Sequence, residues 1–142
     1  MTAPKNHRIL TAEEKATRLL RSMLQRAEDG DLEAQYWLGA CYATGDILQK
    51  DESKAVEWYT KAAERGHAEA QYNLGTMVIQ GEGTEKNFEK GIWWMEQAVA
   101  NGSEYSAHVL SIFYREGLYG IKPSPERALY WNEKSGKYKE EV

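Results

Sequence analysis

The sequence predicts an all-α protein: a helical solenoid of seven helices, one lone helix followed by three helix pairs. Two observations predict it. Residues 32–39 (LEAQYWLG) return 36 residues later as residues 68–75 (AEAQYNLG). Gly30, Gly66 and Gly102 keep the same step, as do Gly45, Gly81 and Gly117, and Leu38, Leu74 and Leu110. A fixed period of this length marks units that bury their apolar faces only against their neighbours.

The elements follow in order along the 142 residues, which form one repeat domain. Thr11-Ala12-Glu13-Glu14 has the form of a capping box and opens the lone helix. Leu19, Leu20, Met23, Leu24 and Ala27 continue it at helical spacing, so residues 11–29 read as an N-terminal capping helix. Repeat one covers residues 30–65. Its first helix, about 32–43, lines Ala34, Leu38, Cys41 and Tyr42 on one face, and Gly45 stops it. Its second, about 52–64, carries Ala55, Trp58, Tyr59, Ala62 and Ala63, and Gly66 closes it.

Repeat two, residues 66–101, keeps the plan. Lys90-Gly91-Ile92-Trp93-Trp94-Met95 stands where repeat one has Lys54-Ala55-Val56-Glu57-Trp58-Tyr59. Repeat three, residues 102–138, places Arg127-Ala128-Leu129-Tyr130-Trp131-Asn132 one residue late, because the connection at 121–124 is longer. Trp58, Trp94 and Trp131 thereby share one position. Ser124-Pro125 supplies a cap and a first-turn proline for the last helix. Ser135 and Gly136 replace the earlier Ala-Ala, and residues 137–141 are polar, which fits a solvent-facing closing helix. No window alternates with period two, so no strand is predicted. Gly39 and Gly75, inside helices, each cost about 1 kcal/mol relative to alanine. The same cost at the same phase predicts close helix–helix contact there.

Composition narrows the function. A net charge of -4 with scattered Lys and Arg argues against nucleic acid. No run approaches the apolar length of a membrane span, so no membrane role is expected. Residues 1–10 hold Lys5 and Arg8 but no apolar core of a secretory signal, which points to the cytoplasm. Cys41, the one cysteine, aligns with Met77 and Phe113 and reads as a small core residue rather than a reactive thiol.

Chemistry-bearing patterns are weak. Gly81-Glu82-Gly83-Thr84 lacks the lysine and the preceding strand of a phosphate loop and reads as an inter-helix turn. His67-Ala68-Glu69 has no Cys-x-x-Cys to complete a zinc site. Glu104 and His108 stand one turn apart, but no third metal ligand accompanies them. Glu13-Glu14 and Asp51-Glu52 sit at helix starts, where they complement the helix dipole. The reading is therefore no enzyme, no cofactor and no metal.

Ala-x-Tyr-x-Leu-Gly, followed by a glycine and then Lys-Ala-x-x-Trp-Tyr-x-Lys-Ala-Ala-Glu-x-Gly, resembles the Sel-one-like repeat, a relative of the tetratricopeptide repeat; residues 51–67 match it most closely. The likeness runs from about residue 30 to 136. The third copy departs from it, with Ser106-Ala107-His108-Val109-Leu110-Ser111 in place of Ala-Gln-Tyr-x-Leu-Gly. The resemblance implies a right-handed α/α superhelix that acts as an adaptor or binding scaffold, and bacterial members include signalling adaptors and immunity proteins that neutralise toxins.

In that arrangement the first helix of each pair lines the concave surface. The stripe left open by the core face is then Glu33, Tyr36, Ala40 and Ala43 in repeat one. In repeat two it is Glu69, Tyr72, Thr76 and Ile79, and in repeat three Tyr105, His108, Ile112 and Arg115. Tyr36, Tyr72, Tyr105 and His108 would make a ladder of rings suited to a protein partner. Tyr36 and Tyr72 belong to the shared motif, so packing between units is the competing role. Trp37, Trp93 and Tyr105 differ from their counterparts and are candidate anchors, against a part-buried packing role.

The leading function is a non-catalytic scaffold that binds a protein partner on its concave face or edge. The finer alternatives are a bacterial immunity protein neutralising a cognate toxin and a regulatory adaptor in signalling or assembly. A self-assembling structural protein and an enzyme are the remaining ones. The expected state is a monomer or weak homodimer.

Overall fold

The computed structural model describes residues 8–141. The reading of residues 1–10 as lacking a signal segment thus lies mostly outside the described residues. Seven α-helices succeed one another, and the described residues contain no strand. They are α1 (Ala12–Glu28), α2 (Leu32–Thr44), α3 (Glu52–Glu64), α4 (Ala68–Gln80), α5 (Phe88–Ala100), α6 (Glu104–Glu116) and α7 (Pro125–Glu133). Helices pack chiefly on their neighbours in sequence, the one-dimensional arrangement of a solenoid.

Local chemistry sets the boundaries. Thr11 caps α1 through a complete capping box with Glu14. Asp51, Asn87 and Ser124 accept N–H bonds at the starts of α3, α5 and α7, and Pro125 stands in the first turn of α7. The first helix of each pair ends on a left-handed glycine, Gly45, Gly81 or Gly117, whose N–H bonds the carbonyl four residues back.

Three clusters run along the axis. Ala27, Ala34 and Leu38 sit at the α1 end; Tyr59, Leu74 and Trp94 belong to the middle; Ile79, Met95, Leu110 and Phe113 fill the α6 end. Cys41 is 5% exposed and burial pushes its thiol up, in keeping with a core role. At the α4–α5 crossing the helix backbones approach closely: a Cβ on Gly75 would stand 2.8 Å from the Gly91 carbonyl oxygen. At Gly39 the intruder differs: a Cβ would meet the Tyr59 ring at 2.5 Å, so side chain rather than backbone fills the space.

A polar relay, absent from the apolar pattern, ties the repeats. Buried Gln35 donates to the Ala27 carbonyl of the preceding helix, and Arg65 at the end of the same repeat donates to the Gln35 side-chain oxygen at 3.3 Å. Gln71 repeats this on the Ala63 carbonyl, with Asn101 donating to it at 3.1 Å. Burying these amides is tolerable because both ends are satisfied.

One expectation needs correction. Leu19 is 62% exposed, since α1 packs mainly on α2 and only Ala27 of its stripe is fully buried. After α7 the exposed polar residues turn through a 3₁₀ segment (Gly136–Tyr138) and fold back on α6. Ser135 is fully buried there, while Leu129 and Tyr130 of α7 face outward.

Candidate functional site

Helices α2, α4 and α6 lie side by side and open a concave cavity of about 490 Å³. Of the expected residues, Tyr36, Glu69, Tyr72 and Tyr105 line it, together with Asn73, Glu104 and Tyr138. Tyr72 and Tyr105 meet edge to face at 5.2 Å. Tyr105 continues edge to face onto Tyr138 at 5.4 Å, and Tyr138 lies over His108 at 5.8 Å. These contacts join Tyr72, Tyr105 and His108 of repeats two and three to Tyr138, a residue outside the concave stripe.

Tyr36 forms a separate cluster. Its ring stacks on His67 at 4.5 Å, and His67 Nε2 lies 3.2 Å from the Glu33 carboxylate. His67 Nδ1 meanwhile accepts the Ala70 N–H and caps α4. With Nδ1 accepting, the ring proton sits on Nε2 and faces Glu33. In the sequence His67 is weighed only as a zinc ligand, with no capping role. Its signal lay in register: the equivalent positions are Asp31 and Ser103, both strong caps, where histidine is unusual.

Burial raises the phenols of this groove. The Tyr72 hydroxyl is pushed up to about 12, first by burial and then by the adjacent Tyr105 phenol. Tyr36 rises for the same first reason, with Glu69 adding to it. Both remain neutral at physiological pH and offer a hydrogen bond from an otherwise apolar ring. Glu69 stands exposed where it lines the groove and, with Glu104, gives it an acidic edge, whereas exposed Glu33 lines an adjoining hollow with His67.

The remaining expected residues lie elsewhere or are closed. Ile79 is 2% exposed, not open: Gly91 replaces the alanine of the other repeats, and the Ile79 side chain fills that space beside Met95 and Leu110. Thr76 is half-buried and returns its hydroxyl to the Tyr72 carbonyl. Ile112 is half-buried on α6. Arg115 pairs with Glu116 and Glu140 and lines a separate 200 Å³ hollow between α6 and α7. Trp37 is half-buried against the α1 cluster, the packing alternative. Trp93 is 49% exposed on α5, edge to face with Trp94, and borders a different hollow with Gln97 and Asn101.

Among the described residues no three metal-ligating side chains converge. The Glu104 carboxylate accepts the Lys137 N–H, and Tyr138 covers the His108 ring. No described helix is long and apolar enough to cross a membrane.

The Sel1 repeat profile matches residues 32–67, 68–103 and 105–137. A Sel1 repeat protein from Oxalobacter formigenes is similar at 31% identity and a TM-score of 0.73, over 87% of this chain and 92% of that one. The protective antigen c5321 of uropathogenic Escherichia coli, which displays an SLR fold, is similar at 30% identity and a TM-score of 0.79. That likeness takes in 86% of this chain and 26% of the antigen. Helicobacter pylori cysteine rich protein B shares 26% identity at a TM-score of 0.63, over 66% of this chain and 71% of that one. No curated protein sequence matches significantly.

Proposed function

The chain belongs to the Sel1 repeat family, and on that premise we propose that it is a non-catalytic scaffold that captures one protein partner in the α2–α4–α6 groove. Sel1 repeats commonly mediate protein–protein interaction. The observation that carries the reading is the run of part-open tyrosines, Tyr72 to Tyr105, set in a concave cavity with acidic edges. Such rings bury large area at small entropic cost while keeping a polar tip, as interface residues do. Glutamates at the rim favour a partner with a basic docking surface.

Within that class, a cytoplasmic inhibitor of a basic toxin suits the small acidic chain, and a signalling or assembly adaptor is the other form of the same binding mode. Arg115, Ile112 and Thr76 contribute to positioning rather than to the groove floor, and Trp93 marks a second, convex surface that is subordinate to the groove.

Affinity capture from native lysate with tagged protein tests this, comparing the unmodified chain with Tyr105→Ala, Glu69→Lys and Trp93→Ala. One stoichiometric partner lost with the first two variants and kept with the third supports the groove. A partner lost only with Trp93→Ala transfers the function to the convex face.

A further inference from the structure

The segment that follows α7 folds over the α6 side of the groove, where Lys137 and Tyr138 line the cavity. Asn132, 5% exposed, turns both atoms of its side-chain amide to Glu140: its Nδ2 donates to the Glu140 carbonyl at 2.8 Å, and its Oδ1 accepts the Glu140 N–H at 2.9 Å. This is the pair of bonds that a neighbouring strand would make, and it reads backbone without regard to side chain. Upstream, the Glu104 carboxylate accepts the Lys137 N–H. Between these two grips Tyr138 places its ring against Tyr105 and His108.

The hold is incomplete. Tyr138 remains 37% exposed, the 200 Å³ hollow lies beside Glu140, and His108 Nδ1 is buried with no hydrogen-bond partner. The ion pairs Lys139–Glu133 and Arg115–Glu140 that fasten the segment are solvent-exposed, and such pairs hold weakly.

We infer that the groove recognises a short turn-forming segment with an aromatic side chain flanked by lysines, and that Lys137-Tyr138-Lys139, held in a 3₁₀ turn, is its resident occupant, which a partner segment of the same chemistry must displace. The inference rests on the groove being the binding surface. Charge agrees with it, since Glu69 and Glu104 line the cavity and Glu133 stands beside Lys139. An acidic or aliphatic segment would meet like charge at the edges and leave the tyrosine ladder unfilled.

The test uses the full chain and a fluorescein-labelled hexapeptide, GKYKEE, copied from residues 136–141, read by fluorescence anisotropy. The unmodified chain should bind weakly, because only the fraction with its own segment released is competent. Tyr138→Ala should bind the peptide about tenfold more tightly, as expected if about one-tenth of unmodified molecules are open. The tighter binding should vanish in Tyr138→Ala/Tyr105→Ala and with the peptide GKAKEE. If Tyr138→Ala loses its helical signal, Gly136→Ala serves instead, since Gly136 holds a left-handed φ of 52° that a side chain strains, and its Cβ would also push aside the Glu104 carboxylate that holds the same segment. Equal affinity for the unmodified chain and the released variant, or none for either, overturns the inference. That result, with lysate capture still sensitive to Tyr105→Ala, leaves the groove reading standing. Capture insensitive to Tyr105→Ala sinks the groove reading itself.

Discussion

Gly75→Ala puts the packing argument at risk most sharply, because two physical effects give opposite signs. In a helix interior with open space, replacing glycine by alanine stabilises by about 1 kcal/mol. Here the new Cβ would stand 2.8 Å from the Gly91 carbonyl oxygen, 3.1 Å from Met95 Cγ and 3.3 Å from Trp94 Cβ. The first of these is backbone, so no rotamer change relieves it, and α5 must move away from α4. Overpacking of this kind costs about 1–3 kcal/mol, and a backbone clash belongs in the upper part of that range. Subtracting the propensity gain leaves a net loss of about 1–2 kcal/mol. For a chain of 142 residues that lowers Tm by about 3–7 °C. The assay is thermal unfolding followed by circular dichroism at 222 nm. Gly91→Ala acts on the same separation and should combine with Gly75→Ala less than additively. An unchanged or raised Tm for Gly75→Ala would refute the close crossing and the reasoning that links in-helix glycine to helix approach.

Three further outcomes follow from particular environments. Trp94→Ala should destabilise by about 3–5 kcal/mol in urea unfolding, whereas Trp93→Ala, half exposed on the next position, should cost under about 1 kcal/mol. His67→Asn keeps a strong α4 cap but removes the ring stacked on Tyr36, so urea stability should hold within about 1 kcal/mol while partner affinity falls several-fold. The buried Tyr59 phenol is pushed up to about 12 from an ordinary 10, chiefly by burial. The raised folded value means its contribution is complete below pH 10 and is lost as pH rises toward 12, on the order of 2–3 kcal/mol. Urea midpoints between pH 9 and 11.5 should therefore fall, and Tyr59→Phe should fall less steeply; equal slopes would exclude this phenol as the cause.

Much of the fold is legible in the chain because the period repeats both apolar faces and their punctuation. Thr11, Gly45 and Ser124-Pro125 mark helix ends by local hydrogen bonding, which tertiary packing does not override. The site is less legible. An open-stripe argument treats each first helix as having one covered face, but α4 is wedged between its own pair and the next. Ile79 is consequently swallowed where Gly91 lets α5 come close. The substitution of glycine for Ala55 and Ala128 was the available signal. Tyr138 is the last residue of repeat three and has no counterpart in the concave stripe, so no register pointed to the groove; only the fold-back fastened by Asn132 puts it there. The Gln35 and Gln71 relay escaped for a related reason: hydropathy patterns are blind to buried amides that satisfy one another across 30 residues.

The central claim is that a protein partner occupies the tyrosine groove between α2, α4 and α6. A photo-crosslinking phenylalanine placed at position 105 or at position 93, irradiated in living cells, addresses it directly. The account predicts one discrete higher-mass adduct from position 105 and none from position 93. An adduct from position 93 alone, or none from position 105 while lysate capture still yields a stoichiometric partner, would contradict it.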